Sequence, residues 1–445
     1  SAWAIVGYEE SKGVGIPPDH DDHDCDTDSE DEHDTKYKPD EGKNVIYHSF
    51  DFRNPDLAGG GGILNLPETD ANGNPVYVVD EFGALLLDWK GEPQLAYENA
   101  RRVRFVTQPK SKAGASGTVL VALYRQGEEG KGKPADIFMR RAVTSSTGNP
   151  YAFGNFVPGA RNVSSVEPTV EWQNPFDLEK PVKTLRWKWT PDNLLDKSGK
   201  YPRLDAKAQR GALHGDDLLI GYSWTPNWGR AGNDKYDFYV RRSFNGGQNW
   251  TTDPHGTEIE HNVAYRVPIV DYDTQTITWE DEVETTPYGA GAAEPPRNVS
   301  NLRNMRTSVL EPRLVKTPGS IKTNGGFRYP EDERDSSVYQ LAYGLEINQN
   351  TLSDSVEYPK SPLDIFYSRT GDKGQRYESV VVTPQGGSGR PEEGWNPLAQ
   401  DKPQQGAAQL RQTPDGSRMY GIWLEEGEKG SDIMFRRVDY RGASE

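Results

Sequence analysis

Sixteen consecutive residues, Asp19 to Asp34, hold eight Asp, two Glu, three of the seven histidines and Cys25, the only cysteine. Carboxylates at that density repel one another until cations neutralise them. Asp24, Asp26 and Asp28 alternate as the first ligands of a calcium loop do, but no Gly follows at the turn and no Glu stands twelfth from Asp24. Imidazole and thiolate suit zinc or copper instead, with His20, His23 and His33 as the candidate ligands. A solvated acidic loop holding cations loosely is the third reading. A second oxygen-rich segment follows. Asp70, Asn72, Asn74 and Glu81 occupy positions one, three, five and twelve of a calcium-type loop, with Pro75 where Gly is wanted. A hairpin turn at Asn72-Gly73 competes for the same residues. Calcium is the cofactor these segments suggest, and no organic cofactor is expected.

Other residues could meet a ligand directly. Trp224, Trp228 and Tyr236, in and beside the link 223–235, could stack on sugars or meet a protein surface, or pack the link itself. Glu167 and Glu311, each followed by Pro, could line a channel as a base, although two copies of one element also suit a scaffold. The formal net charge of -17 disfavours nucleic acid and anionic membranes as partners, since no basic block offsets it. No apolar run approaches the roughly 20 residues of a membrane helix, and with one cysteine no internal disulfide forms. The chain opens directly on an apparent strand, so a leader is expected to precede Ser1.

The elements that position these residues repeat. Val119 to Tyr124 leads to Asp136-Ile-Phe-Met-Arg-Arg141, and Leu218 to Tyr222 leads to Asp237-Phe-Tyr-Val-Arg-Arg242. Tyr339 to Tyr343 leads to Asp364-Ile-Phe-Tyr-Ser-Arg369, and Met419 to Trp423 leads to Asp432-Ile-Met-Phe-Arg-Arg437. At the start, Trp3 to Tyr8 pairs with Asn44 to Ser49, making five units. Each second strand carries three consecutive apolar residues, so both its faces are buried, as in a strand sandwiched between neighbouring sheets. Asp136 and Arg141 lie five apart on opposite faces and are expected to bond across sheets. Arg161-Asn-Val-Ser164 and Arg297-Asn-Val-Ser300 recur as an outer or inner neighbour strand, and the prolines of the following Glu-Pro pairs suit a strand end or bulge. The units are spaced more widely than the roughly 40–50 residues of a compact blade. Either long insertions or further blades intervene, with Leu185 to Thr190 and Tyr265 to Val283 as candidate strands. The expected fold is an all-β propeller of four-stranded antiparallel blades, six or seven in number, forming one domain over 1–445 with the acidic insertion 17–42 inside the first blade.

Two turns follow these strands in one register. Ser243, Asn245, Gly247 and Trp250 have the form S-x-[D/N]-x-G-x-x-W, and Thr370, Asp372, Gly374 and Tyr377 have T-x-D-x-G-x-x-Y, each starting six residues after the motif Asp. The glycines permit positive φ and the aromatic anchors the turn. With the blade repeat, this resembles the Asp-box (bacterial neuraminidase repeat) β-propellers of the sialidase-like superfamily. More narrowly the chain is similar to bacterial surface proteins known as choice-of-anchor proteins, although their C-terminal sorting segment is not found before Glu445. The resemblance implies a site outside the cytoplasm, extracellular or at the cell surface, with the periplasm as the alternative. Catalytic members carry three arginines clamping a carboxylate, a Tyr paired with Glu, and an Asp acid/base. The nearest match to the Arg-Ile-Pro signature, Arg266-Val-Pro268, follows the third unit, whereas the signature stands near the start of the catalytic domain, so Arg266 reads as a strand residue. No catalytic residue is assigned. Three functions fit: a non-catalytic propeller binding a glycan or protein partner with structural calcium, a glycoside hydrolase or lyase of sialidase-like type, and a metal-sequestering envelope protein using the acidic insertion.

Overall fold

The computed structural model describes residues 3–12, 42–68, 74–80, 82–108, 117–127, 135–145, 160–164, 169–172, 176–177, 179, 183–186, 205–214, 217–225, 236–244, 246–247, 250, 261–271, 274–286, 296–300, 302, 307–316, 338–347, 364–371, 374, 395–399, 404–413, 416–427 and 429–439. All assigned elements are strands. The first sheet holds β1 (Trp3–Ser11), β2 (Lys43–Asp51) and β3 (Asn54–Ile63); the second holds β4 (Asn99–Gln108), β5 (Gly117–Gly127), β6 (Ala135–Ser145) and β7 (Arg161–Asn162). A hairpin of β8 (Thr169–Trp172) and β9 (Lys183–Arg186) precedes β10 (Asp205–His214), β11 (Asp217–Thr225) and β12 (Asp237–Ser243). A second hairpin, β13 (His261–Asp271) with β14 (Thr276–Thr286), is inserted before β15 (Arg297–Asn298), which completes the third sheet. The fourth sheet is β16 (Thr307–Lys316), β17 (Tyr339–Ile347), β18 (Asp364–Thr370) and β19 (Asn396–Ala399); the fifth is β20 (Gln404–Gln412), β21 (Arg418–Gly427) and β22 (Gly430–Asp439). The described residues thus make five blade-like sheets. The candidate strands for further blades, Leu185–Arg186 in β9 and the β13–β14 pair, lie in the two hairpins instead. No described helix is long and apolar enough to cross a membrane.

All five sheets share one register. The aromatic of each unit stands opposite the residue two places after its polar head: Tyr8 opposite Ile46, Tyr124 opposite Phe138, Tyr222 opposite Tyr239, Tyr343 opposite Phe366 and Trp423 opposite Met434. The Arg-Asn-Val-Ser element is the outermost strand. Ser164 Oγ donates to Asp136 at 2.5 Å and accepts from the Ile137 amide at 2.9 Å; Ser300 does the same for Asp237 at 2.7 Å and Phe238 at 2.9 Å. In the first sheet Asn65 replaces the serine and Asn44 the aspartate, and both links survive at 2.9 Å. Asp136 therefore bonds within its own sheet, because its head position faces the outer strand, and the expected bond across sheets is not its role. The arginines do cross. Arg141 Nε donates to the Gly246 carbonyl at 2.8 Å, and Arg241 Nη1 to that of Val163 at 3.0 Å. By this register β1, β2 and β3 match the second, third and fourth strands of a complete sheet, and β20, β21 and β22 match the first three.

Packing follows the series. The first strand of each sheet, β4, β10, β16 or β20, lies across the face of the sheet before it. Four apolar layers result, one per junction, built from the both-face-apolar strands the sequence signals. Glycine makes the close approaches: a Cβ on Gly211 of β10 would sit 2.6 Å from Leu123 Cδ1 of β5. The first box turn seals the second junction, where a Cβ on Gly247 would meet Leu218 and Met139. The Gly247 amide donates to Ser243 Oγ at 2.9 Å and the Gly374 amide to Thr370 Oγ1 at 2.8 Å, with φ of 83° and 79° at the glycines. Trp250 is wholly buried, with Arg241 4.9 Å from its ring. Asn245, Asp372 and Tyr377 lie outside the described residues.

Candidate functional site

The first strands carry a feature no sequence pattern announced. Each of β4, β10, β16 and β20 bulges at the same register, and one non-glycine residue in each bulge takes positive φ: Arg102 at 60°, Ala208 at 59°, Glu311 at 50° and Ala407 at 53°. Left-handed backbone in residues with a Cβ costs on the order of 1 kcal/mol each, so neighbouring groups must hold it. They do so across the junctions. Glu9 Oε1 accepts from the Arg102 amide at 2.8 Å, Gln209 Nε2 donates to the Arg102 carbonyl at 2.5 Å, and Arg313 Nε donates to the Ala408 carbonyl at 2.6 Å. The prolines of the Glu-Pro pairs were expected at a strand end or bulge, and Pro312 sits in the bulge of β16.

Two residues past each positive-φ position stand Arg104, Arg210, Arg313 and Gln409. Each lies opposite the residue just before the unit's aromatic, at Leu123, Gly221, Ala342 and Ile422. The three arginines act on one another. Burial pushes Arg104 down from its ordinary value, and the charges of Arg313 and Arg102 add to the effect. Arg210 is pushed down to about 10 by burial, then by Arg104, Arg313 and Arg102, with Glu311 opposing. Arg313 is lowered by burial and partly restored by Glu311, whose Oε2 lies 3.3 Å from its Nη2. A guanidinium does not lose its proton at working pH, so all three stay charged, with Glu311 the one carboxylate that acts on Arg210 and Arg313. Beside the bulges, a cleft of about 220 Å³ is lined by Gly211, Ala212, Leu314, Val315, Lys316, Arg411 and Gln412, again from β10, β16 and β20. In a chain of net charge -17, the first strands of these sheets concentrate cations. What such an array does chemically is hold anions: a planar guanidinium takes a carboxylate, sulfate or phosphate bidentately.

Of the residues proposed from sequence, Glu311 alone joins this array. Trp224 and Tyr236 are not surface aromatics: they are 1% and 4% exposed. Trp224 packs edge-on against Tyr239 with centroids 5.3 Å apart, and the Tyr236 hydroxyl donates to the buried Asp205 at 2.7 Å, which also accepts from Arg125 Nη2 at 2.5 Å. The link they border is anchored by its apolar ends, which removes them as ligand contacts. Arg266 lies in β13 of the inserted hairpin, opposite Asp281 of β14. The acidic insertion joins β1 to β2, where Ser11 pairs with Lys43; Asp24, Asp26, Asp28, His20, His23 and His33 lie outside the described residues, as do Asp70, Asn72, Glu81, Trp228 and Glu167. Asn74 is described and exposed. Among the described residues no group of three or more His, Cys, Asp or Glu could hold a metal ion.

No family model matches the sequence, and no curated protein matches it. Among solved structures, the chain is similar to the GH93 α-L-arabinofuranosidase of Fusarium graminearum in complex with arabinobiose, at 7% identity and a TM-score of 0.29, covering 90% of this chain and 86% of that one. The same enzyme with an iminosugar inhibitor gives 8% and 0.29 over the same shares. The complex of BT0996 with RGII gives 8% and 0.18, covering 77% of this chain and 90% of that one.

Proposed function

We propose that the protein is a β-propeller, displayed outside the cytoplasm, that binds an acidic glycan at its inner strands without turning it over. One observation supports this above the others: Arg104, Arg210 and Arg313 occupy the same register position on three successive inner strands and repel one another there. The cluster is open to solvent, with Arg104 exposed and Arg210 and Arg313 partly buried. A ligand that brings negative charge fits such a cluster, and uronate carboxylates on a sugar chain supply it at regular spacing. Acidic protein segments offer the same group with more conformational entropy to lose. Glu311 is engaged by Arg313, which leaves it as a positioning group for that arginine in the binding reading.

The test is calorimetric titration with oligogalacturonate and, in parallel, with neutral galacto-oligosaccharide. The acidic ligand should bind and the neutral one should not, with binding weakening as salt rises. Arg104→Gln with Arg210→Gln should lower affinity at least tenfold. Equal binding of both sugars, or an unchanged double variant, overturns the reading. The enzymatic alternative, a hydrolase or lyase, rests on Glu311 beside the cluster and predicts release of new reducing ends that disappears in Glu311→Gln. Structural calcium at the acidic insertion and at Asp70 to Glu81 is part of the proposal, supported by the density of carboxylates there. Metal analysis of chelator-free protein against a variant lacking residues 19–34 tests both calcium and the metal-sequestering alternative, since equal metal content removes the insertion from either role.

A further inference from the structure

Three of the first strands extend a side-chain oxygen to the sheet before them, and they do so at one register. Asn99 of β4, Asp205 of β10 and Ser308 of β16 each stand three residues before the positive-φ position of their bulge. Asn99 Oδ1 accepts from the Lys43 amide at 2.9 Å, Asp205 Oδ1 from the Ala135 amide at 2.9 Å and Ser308 Oγ from the Tyr236 amide at 3.1 Å. In each case the donor is the residue just before the polar head of the preceding sheet, so the oxygen stands beside that head. One contact is thus repeated with different chemistry. The first junction sets Asn99 beside Asn44, and the third sets Ser308 beside Asp237. The second sets one carboxylate, Asp205, beside another, Asp136.

Both carboxylates are out of water, with Asp205 0% exposed and Asp136 4%. One buried guanidinium serves the pair. Arg125 of β5 donates Nη2 to Asp205 Oδ1 at 2.5 Å, and the Tyr236 hydroxyl, with Lys207 Nζ 3.5 Å over its ring, donates to Asp205 Oδ2 at 2.7 Å. On the other side Ser164 Oγ donates to Asp136 at 2.5 Å, Asn162 adds a second side-chain bond, and the neutral Gln126 stands opposite in register. Two buried carboxylates beside a single guanidinium do not both ionise without cost. Asp205 takes the charged donor, so the proton falls to Asp136, where burial and then the Asp205 charge favour it.

We propose that Asp136 and Asp205 form a proton-dependent latch between the second and third sheets, closed while Asp136 carries a proton and loosened when that proton leaves. Loosening frees the start of β10 from β5 and β6, and β10 is the strand that carries Arg210. Because the closed state binds the proton more tightly than the open one, the latch is fully closed in acid and gives way as pH rises.

Hydrogen exchange of single amides, followed by NMR and corrected for the intrinsic pH dependence of exchange, tests this in the wild-type protein. The Ala135 and Ile137 amides bond Asp205 and Ser164, and those of Tyr236 and Phe238 bond Ser308 and Ser300 at the same places one sheet on. From pH 5 to pH 7.5 protection at Ala135 and Ile137 should fall about tenfold, the factor that a change from 3.8 to about 6 gives over that range. At Tyr236 and Phe238 it should fall by less than about threefold. Asp136→Asn, which cannot ionise, should abolish the fall at the first pair. No fall at Ala135 and Ile137 overturns the proposal, and so does an equal fall at all four amides, since the change then belongs to the whole molecule. A fall that persists in Asp136→Asn overturns the assignment to this pair of carboxylates. The wild-type comparison decides the matter even where the variant fails to fold.

Discussion

Replacing Asp136 by Asn should stabilise the protein at neutral pH, against the usual expectation for a buried, hydrogen-bonded residue. Burial pushes the Asp136 carboxyl up to about 6; hydrogen bonds from Ser164 and Asn162 oppose this, the Asp205 charge adds to it and Arg125 offsets it. Its ordinary value is 3.8. The folded state therefore binds this proton more tightly than the unfolded chain, so the contribution of Asp136 to stability is fully present below about pH 4 and is lost as pH rises through 6. At about 1.36 kcal/mol per tenfold change in proton affinity, the ionised carboxylate costs about 3 kcal/mol at neutral pH. Asparagine keeps the acceptor for Ser164 Oγ but brings a buried NH2 group that needs its own acceptor, which gives back about 1–2 kcal/mol. A net gain of about 1–2 kcal/mol is expected at pH 7.5, shrinking below about 1 kcal/mol at pH 4.5. The first sheet already contains this solution, since Asn44 stands at the same register and bonds Asn65 at 2.9 Å. Urea unfolding at both pH values, followed by tryptophan fluorescence, reads the difference directly. A variant destabilised by more than about 1 kcal/mol at pH 7.5, or a difference that does not change with pH, would refute the reasoning.

Three further outcomes follow from the same geometry. Gly247→Ala places a Cβ 2.9 Å from Leu218 Cδ2 at a φ of 83°, whereas at Gly246 the nearest atom is 3.5 Å away, so the first change should cost about 2–3 kcal/mol and the second about 1, measured by the urea midpoint. Ser300→Ala strips a donor from Asp237 and an acceptor from the Phe238 amide inside the core and should cost about 1–3 kcal/mol, visible as faster hydrogen exchange at Phe238. Sulfate at fixed ionic strength should raise the melting temperature of the wild type more than that of Arg104→Gln/Arg210→Gln; an equal rise in both would show that the inner-strand charge is not where the anion acts.

Much of the frame was legible in the sequence because burial on both faces leaves a pattern that loops cannot blur. Asp136-Ile-Phe-Met and its relatives announce a sandwiched strand, and the box residues Ser243 and Thr370 fix their turns as their chemistry requires. The inner strands gave no such sign. Arg104, Arg210 and Arg313 precede their unit's aromatic by 20, 12 and 30 residues, so the loop lengths hide an equivalence that only the hydrogen-bond register displays. The bulges were invisible for a related reason: Arg102, Ala208, Glu311 and Ala407 share a backbone conformation and no side-chain chemistry. Trp224 and Tyr236 misled because polar neighbours in the link suggested a wet surface, while the junction between sheets claimed both rings for its interior.

The inner-strand array is also lopsided. Gln409 stands where the fifth sheet would carry its arginine, so the attraction felt by an incoming anion points toward the second, third and fourth sheets rather than down the middle. A long acidic polymer bound under the proposed reading would lie closer to the second, third and fourth sheets than to the fifth. The molecule would then impose a direction on a ligand whose own ends look much alike.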